Sequence, residues 1–353
     1  MLEMLRQWYQ RHFSNPQSTA LAMLLLIGFG ALYCFSSLLT PLLVTLVFAY
    51  LLEWPIAVLQ RWSIPRSLAL PLVLLLFLGL LLLILFGLLP SIWQQGRYLT
   101  RDLPTMLSSF HDFVLSRPYY STLVDTGVID TLTTQLQTKL LLFGTSIVKH
   151  SMTSLITLMK LAIYLILVPL MLFFMLKDKQ QLLETAQKLL PGHQTLARQV
   201  WKMMDQQIRR YIGGKVLEML LVTLVTYGLF AFFQLRYALL LAIPVGLSVL
   251  IPYVGALLAT LPVALVALFQ WGLTPHFCYF IALYTLIQGL DANVLVPILF
   301  SETLNLHPLV IIVSTLLFGS LWGFWGLFFA IPLATLVKAV FTVWPATETP
   351  TTN

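Results

Sequence analysis

The sequence predicts an all-α fold: a polytopic membrane protein of about eight membrane segments, with broken or re-entrant hairpins in its C-terminal half. Three observations carry that prediction. Hydrophobic residues fill 59% of the 353 positions and charged residues only 9%, against the roughly one quarter usual in soluble chains. A water-soluble fold of this size has too little interior to hide so much apolar surface. The charges gather between long apolar runs, and prolines or glycines interrupt the later runs in their middles.

The net charge of +7 does not signal nucleic acid, because the basic residues form no stripe and no known nucleic-acid module. They flank apolar runs, so the lipid bilayer is the expected partner. Cys34 and Cys278 both sit inside such runs and read as small membrane-core residues. Neither zinc spacing nor a disulfide framework is present, so no metal and no cofactor is expected. The opening Met1–Pro16 carries Glu3, Arg6, Arg11 and His12, and the apolar run beginning near Thr19 has no small-residue cleavage site. That run is expected to be a retained span.

Residues 1–90 form the N-terminal spans. Ala20–Leu52 is too long for one untilted crossing; Ser36, Ser37 and Pro41 divide it into a tight hairpin, and Glu53, Trp54 and Pro55 end it. A third span covers Leu68–Leu89, closed by Pro90. Residues 91–150 mix Arg97, Arg101, Arg117, Lys139 and Lys149 with Asp102, Asp112, Asp125 and Asp130. These charges nearly cancel, and the segment reads as a small polar helical region with breaks near Pro104 and Pro118. Residues 151–176 hold a fourth span, Leu155–Leu176, where Lys160 can snorkel and Pro169 can kink the helix.

Residues 177–215 are strongly basic. Lys177, Lys179, Lys188, Arg198, Lys202, Arg209, Arg210 and Lys215 oppose Asp178, Glu184 and Asp205. Leu196, Val200, Met203, Met204, Ile208 and Tyr211 recur at helical spacing. Pro191-Gly192 splits the segment into two amphipathic helices. The positive-inside rule puts this segment in the cytoplasm and residues 91–150 in the periplasm, with both chain ends cytoplasmic in a bacterial inner membrane. Trp54, Trp62, Trp93, Trp271 and Trp344 fall near the resulting interfaces.

Residues 216–342 read as a transport core and 343–353 as a tail. Val216–Phe233 is a span, and Ala238–Phe269 is an apolar stretch interrupted by Pro244, the run Ile251-Pro252-Tyr253-Val254-Gly255, and Pro262. Phe277–Phe300 is the next span, and Leu309–Val340 is again long, interrupted by Gly319, Gly323, Gly326 and Pro332. One span followed by one broken stretch thus occurs twice. If each broken stretch re-enters on its own side, the second pair is an inverted repeat of the first, an arrangement recurrent in secondary transporters. Two pairs of short or tilted spans fit the same residues.

Asp291 is the sharpest candidate for a binding site. It lies deep in an apolar run, where a charge is costly and should face a cavity or a partner. Gln288 falls three residues earlier on the same helical face. Pro297 cannot donate to the carbonyl of Asn293, so Gln288, Asp291, Asn293 and that freed oxygen together suit a cation, a proton or a polar substrate. The alternative is that Asp291 and Asn293 cap half-helices at a break. Pro252, Tyr253 and Gly255 mark a turn at membrane depth that must be packed in protein or line a cavity.

Glu218 and His307 are secondary candidates. Glu218 follows Lys215 by three residues, which suits an interfacial ion pair or a proton relay. His307, before Pro308, suits a membrane edge and an imidazole that titrates near neutrality. The Gly319, Gly323 and Gly326 face suits close helix packing. Gly213-Gly214-Lys215 lacks the full phosphate-loop pattern and a preceding strand. With no catalytic triad, zinc motif or nucleotide fingerprint, the sequence suggests no enzyme.

Together, the Leu190-Pro191 break, the run Tyr211-Ile212-Gly213-Gly214-Lys215, Ile251 through Gly255, Gln288 through Pro297, Leu306-His307-Pro308 and Gly323 through Pro332 resemble the autoinducer-2 exporter (AI-2E) family of permeases. The likeness covers nearly the whole chain, including Met1-Leu2-Glu3-Met4-Leu5. It implies a multi-pass cytoplasmic-membrane protein of about eight segments. It further implies efflux of a small signalling molecule or sodium–proton exchange, and assembly as a homo-oligomer. Three functions follow as expectations. A secondary transporter would move a small molecule or ion through a site at Asp291. A passive oligomeric pore would not accumulate its substrate. A membrane scaffold would dock a partner through Ser91–His150 or Lys177–Lys215.

Overall fold

The computed structural model describes residues 33–115, 155–188, 195–252, 254–300 and 306–343, with short pieces before residue 33. Every element among them is helical: α1 Ser36–Arg61, α2 Arg66–Leu83, α3 Leu89–Leu115, α4 Leu155–Lys177, α5 Lys179–Lys188, α6 Thr195–Phe232, α7 Ala238–Ser248, α8 Val254–Trp271, α9 Pro275–Leu290, α10 Val296–Phe300 and α11 Pro308–Val343. Two π-turns, Ile84–Leu88 and Asp291–Leu295, bridge α2 to α3 and α9 to α10. Among the described residues, six helical segments are long and apolar enough to cross a bilayer, and Ala162–Lys177 and Ala238–Ser248 are shorter apolar helices. Leu75, Leu76, Phe86, Leu257 and Ile298 are each 69–73% exposed. Such faces need lipid rather than water, so the chain is a multi-pass membrane protein.

In lipid no water competes for the backbone, so a proline removes one hydrogen bond without ending the helix. Pro41 and Pro55 accordingly lie inside α1, and Pro71, Pro104, Pro169, Pro244, Pro262 and Pro332 lie inside later helices. This corrects three expectations: no break falls at Pro104, which lies inside the helix Leu89–Leu115, and two spans end later than expected. The run Glu53-Trp54-Pro55 does not end its span, which continues to Arg61. Nor does Pro90 end the third span, because the helix resumes at Leu89 and runs on to Leu115.

At Pro90 the π-turn supplies the accommodation. The Leu89 N–H reaches back five residues to the Ile84 carbonyl, a widened turn of the kind that absorbs local irregularity. The same device recurs at the next position of this kind: Val296 N–H bonds the Asp291 carbonyl, one residue before Pro297. Hydroxyls are also satisfied internally. Thr45 donates to the Pro41 carbonyl, Thr226 to Val222 and Thr315 to Ile311, as buried threonines in membrane helices must.

The amphipathic segment and the following span form one helix, α6, of 38 residues. No break separates them at residue 215, because Gly213 and Gly214 remain in helical register. The expected breaks at Pro118 and Pro191-Gly192, the first limb of the N-terminal hairpin and the tail after residue 343 lie outside the described residues.

The chain divides into two compact units. One comprises Met1–Leu74, Ile166–Gly214 and Phe300–Asn353. Within it α1 packs on α11. Within α11 two helices meet at a kink: Gly323 has φ +59° and ψ −132°, a conformation open essentially to glycine alone. There the helix reverses: Gly326 approaches the Phe318 carbonyl so closely that no Cβ fits. The second broken stretch is therefore a helical hairpin. The Tyr211 hydroxyl fastens its return limb by donating to the Phe328 carbonyl at 2.9 Å.

The other unit comprises Leu75–Leu165 and Lys215–Leu299. Its core is Phe230, Phe280, Tyr284, Val245, Val263 and Ala267, each at most 1% exposed. Helices α7 and α8 lie against each other and against α3, and α8 lies against α9. At the outer end of this hairpin the Gln270 amide accepts from Arg236 N–H at 2.8 Å and donates to the Gln234 carbonyl at 2.9 Å. The beginning and the end of the first broken stretch are thus tied together. Its first limb is helical over only about 16 Å, roughly half of a ~30 Å hydrocarbon core.

Candidate functional site

The site candidates of the second unit converge at the inner end of the α7–α8 hairpin. Helices α8 and α9 run antiparallel, and their register is set by Thr260, whose hydroxyl donates to Tyr284 Oη at 3.3 Å. Asp291 lies seven residues beyond Tyr284, and Val254 six before Thr260, so both sit at one level. On α6, Phe230 contacts Phe280 and Tyr284 with centroids 5.7 and 5.9 Å apart. Counting back along α6 brings Glu218 to the level of Asp291. From the outer end, Glu218, Asp291 and the hairpin tip all lie about 20–25 Å deep at 1.5 Å per residue.

Charge collects at that level. Lys215 Nζ and Glu218 Oε2 are 2.9 Å apart, with side chains 6% and 2% exposed. The Lys215 ammonium acts electrostatically on Asp291, and Asp291 acts on Glu218. Asp291 Oδ1 is buried and has no hydrogen-bond partner. A buried ion pair at the level of a further, incompletely satisfied carboxylate is costly to assemble in a low-dielectric interior. The sequence expected Glu218 to form a half-exposed pair at the edge of its span; because α6 continues well beyond residue 215, the pair is instead buried inside it.

Gln288 turns away from a direct role in that cluster. Its Nε2 donates to Tyr284 Oη at 2.7 Å, giving a polar chain from Thr260 on α8 through Tyr284 to Gln288 on α9. Asn293 is exposed, and its amide donates to the Gly289 carbonyl at 2.8 Å. It stands two residues from Asp291, a spacing that does not share a helical face, and so does not join it. Because the backbone passes through Asp291 as a π-turn, no helix end exists there for Asp291 to cap. Pro297 follows that turn, on an exposed position.

At the hairpin tip the Pro252 carbonyl accepts from Val254 N–H at 2.7 Å, and Gly255 N–H bonds the Ile251 carbonyl at 2.9 Å. Gly255 abuts the Ser248 carbonyl with no room for a Cβ. Tyr253 lies outside the described residues. His307 belongs to the other unit, where it starts α11: its carbonyl accepts from Val310 and Ile311 N–H, and Nδ1 accepts from Leu309 N–H at 3.2 Å. Lys215, Thr260 and Tyr284 carry this arrangement without having been singled out in the sequence as site residues. The four-residue spacing of Tyr284 and Gln288 was the available signal.

The first unit has its own polar cluster. Glu53 Oε1 receives Lys179 Nζ at 3.0 Å and Arg66 Nη1 at 3.5 Å, while Arg66 Nη2 also donates to the Leu176 carbonyl at 3.0 Å. Nearby, Tyr50 donates to Asp205 Oδ1 at 2.9 Å, and Arg209 reaches Asp205 Oδ2 at 3.5 Å. A cavity of ≈ 220 Å³ lies between these groups. A second cavity in the same unit, ≈ 290 Å³, is lined by apolar and aromatic groups including Trp322, Trp325 and Phe329.

Relatives align with most of this chain. The chain is 54% identical over 346 residues to PerM of Escherichia coli (strain K12), named as a candidate permease, covering 98% of each chain. YueF of Bacillus subtilis (strain 168), named as a candidate transport protein, is 29% identical over 321 residues, 87% of this chain and 84% of its own. A third, sll0063 of Synechocystis, also named as a candidate transport protein, is 23% identical over 310 residues, 86% and 77% of the two chains. Residues 21–346 match the profile of the AI-2E family transporters. The chain, with its multi-pass helices and broken hairpins, belongs to the AI-2E transporter family.

Proposed function

We propose that this permease is a secondary transporter of the bacterial inner membrane, moving a small polar molecule or ion in exchange for protons or sodium. The observation that carries the reading is the buried Lys215–Glu218 pair with Asp291 beside it, level with the tip of a broken hairpin. A charged cluster inside the hydrocarbon thickness is too costly to keep as packing alone. Broken helices at that depth are the usual means of giving such groups a path to either side. The strongly basic segment 177–215 supports cytoplasmic placement of the loops that flank it, and of both chain ends. Asp291 is the group whose occupancy alternates; Lys215 pairs with Glu218 at 2.9 Å and fixes it in place.

The test uses the full chain in proteoliposomes loaded with a pH-sensitive dye. An imposed sodium gradient should drive proton movement through the wild type. Asp291→Asn should abolish that movement while the protein elutes and melts as the wild type does. Full flux through Asp291→Asn removes Asp291 from the mechanism, and no gradient-driven flux through the wild type removes sodium–proton coupling.

A further inference from the structure

We propose that the ≈ 220 Å³ cavity of the first unit is a binding site for an anionic phospholipid, with its phosphodiester held by Lys179 and Arg209 and an acyl chain laid along Leu182 and Leu183.

The charge balance selects an anion. Among the described residues, Lys179 and Arg209 of the lining pair with Glu53 and Asp205, and Arg66, outside the lining, shares Glu53 with Lys179, leaving one positive charge in excess. Donors also remain. A lysine ammonium has three N–H groups and a guanidinium five, whereas Lys179 makes one contact to Glu53 and Arg209 a single long one of 3.5 Å to Asp205. Tyr50 sits between them: its hydroxyl holds Asp205 and its ring lies 5.6 Å from the Arg209 guanidinium carbon. That contact steadies the guanidinium plane. The side chains of Lys179 and Arg209 are 37% and 42% exposed, so both are reachable without opening the fold.

The remaining wall of the cavity is apolar, which calls for an anion on a hydrocarbon body rather than a free one. Its depth points to the same source. Trp54 and Trp62, on and just past α1, are 75% and 72% exposed, and exposed tryptophans at the end of a span mark the headgroup level. Glu53 is next to Trp54 and Tyr50 about one turn from it, and they lie about two and a half and three and a third turns from Trp62. A phosphate of the bilayer is therefore at the height of Lys179 and Arg209, and basic pockets between membrane helices are suited to it.

Binding is read by native mass spectrometry of the whole protein in detergent, titrated with phosphatidylglycerol or with phosphatidylcholine. Phosphatidylglycerol should be retained preferentially. Lys179→Gln and Arg209→Gln should each weaken it about tenfold, the equivalent of one charge-assisted hydrogen bond. Lys179→Arg should retain it, and Lys202→Gln, an exposed cation of α6 outside the cavity, should leave it unchanged. Equal retention of phosphatidylcholine by the wild type overturns the proposal without recourse to any variant. So does full competition by glycerol 3-phosphate, which would assign the site to a soluble anion, or undiminished binding by a folded variant carrying both Lys179→Gln and Arg209→Gln.

Discussion

Between Ser248 and Val254 the first hairpin turns through a short non-helical segment containing Pro252, whereas the second reverses at a kink whose non-helical residue is Gly323. Both reversals rely on the same close approach. In each, a glycine after the turn presses on a carbonyl seven or eight residues earlier: Gly255 on Ser248, and Gly326 on Phe318. What surrounds them differs. Lys215, Glu218 and Asp291 lie level with the first tip. The second has no charged residue from Pro308 to Val337 and borders an apolar cavity. One backbone device thus serves both units, and the chemistry is supplied by what each hairpin packs against.

The largest effects should come from the glycines shared by that device. Gly255→Val and Gly326→Val each drive side-chain atoms into a backbone carbonyl that cannot move aside. Each should cost upwards of about 4 kcal/mol, in the exceptional class of point mutations, seen as loss of monodisperse protein on extraction. Gly323→Ala imposes only conformational strain, about 1–3 kcal/mol, and should extract folded with a lowered melting temperature. If Gly255→Val behaved as wild type while Gly326→Val collapsed, the two turns would not share a constraint.

Next in size are the charges that distinguish the first hairpin. Glu218→Gln removes the negative charge paired with the buried Lys215 ammonium and should cost about 3–5 kcal/mol. The double change Lys215→Met with Glu218→Leu removes both charges and should recover most of that stability, because apolar replacement of a buried pair is often neutral or better. Recovered melting behaviour with flux still absent would assign the pair to transport. Recovered flux would make the pair an architectural feature.

How far this was readable from the sequence follows from the physics of each signal. The spans were legible because lipid demands about twenty apolar residues in a row, and the hairpin breaks because Pro252 and Gly323 stand inside such rows. Asp291 stood out for the same reason. Prolines misled at positions 55 and 90, since the rule that proline ends a helix weakens where water cannot compete for the backbone. Lys215 escaped notice as a site residue because a cation at the edge of a hydropathy window looks interfacial. Only the uninterrupted length of α6 shows it to be internal. Thr260 and Tyr284 were invisible because their pairing depends on the register of α8 against α9, which no single-sequence pattern encodes.

Two buried tyrosines allow a finer comparison of the hairpins. Tyr284→Phe removes the acceptor of both Thr260 and Gln288, and Tyr211→Phe leaves the Phe328 carbonyl unpaired. Each should cost about 0.5–1.5 kcal/mol, readable as a small fall in melting temperature. Only Tyr284→Phe, which loosens α8 against the helix carrying Asp291, should also alter ion-driven flux. An equal change in flux from Tyr211→Phe would show that both hairpins participate in coupling.

The smallest expected effect concerns the outer end of the first hairpin, where Tyr237 donates to Asp102 Oδ2 at 2.8 Å. Burial, reinforced by that carboxylate, pushes the Tyr237 phenol above its ordinary value of 10.0. The protonated phenol is therefore favoured more in the folded state than in the unfolded one. Its contribution is complete below pH 10.0 and is lost as pH rises beyond it, because the unfolded chain then releases the proton first. Thermal melting measured upward from pH 9 should fall more steeply for the wild type than for Tyr237→Phe, which has no proton to lose there. Parallel alkaline limbs would mean that the bond to Asp102 does not hold α3 against the start of α7, and that Gln270 alone ties this end of the hairpin.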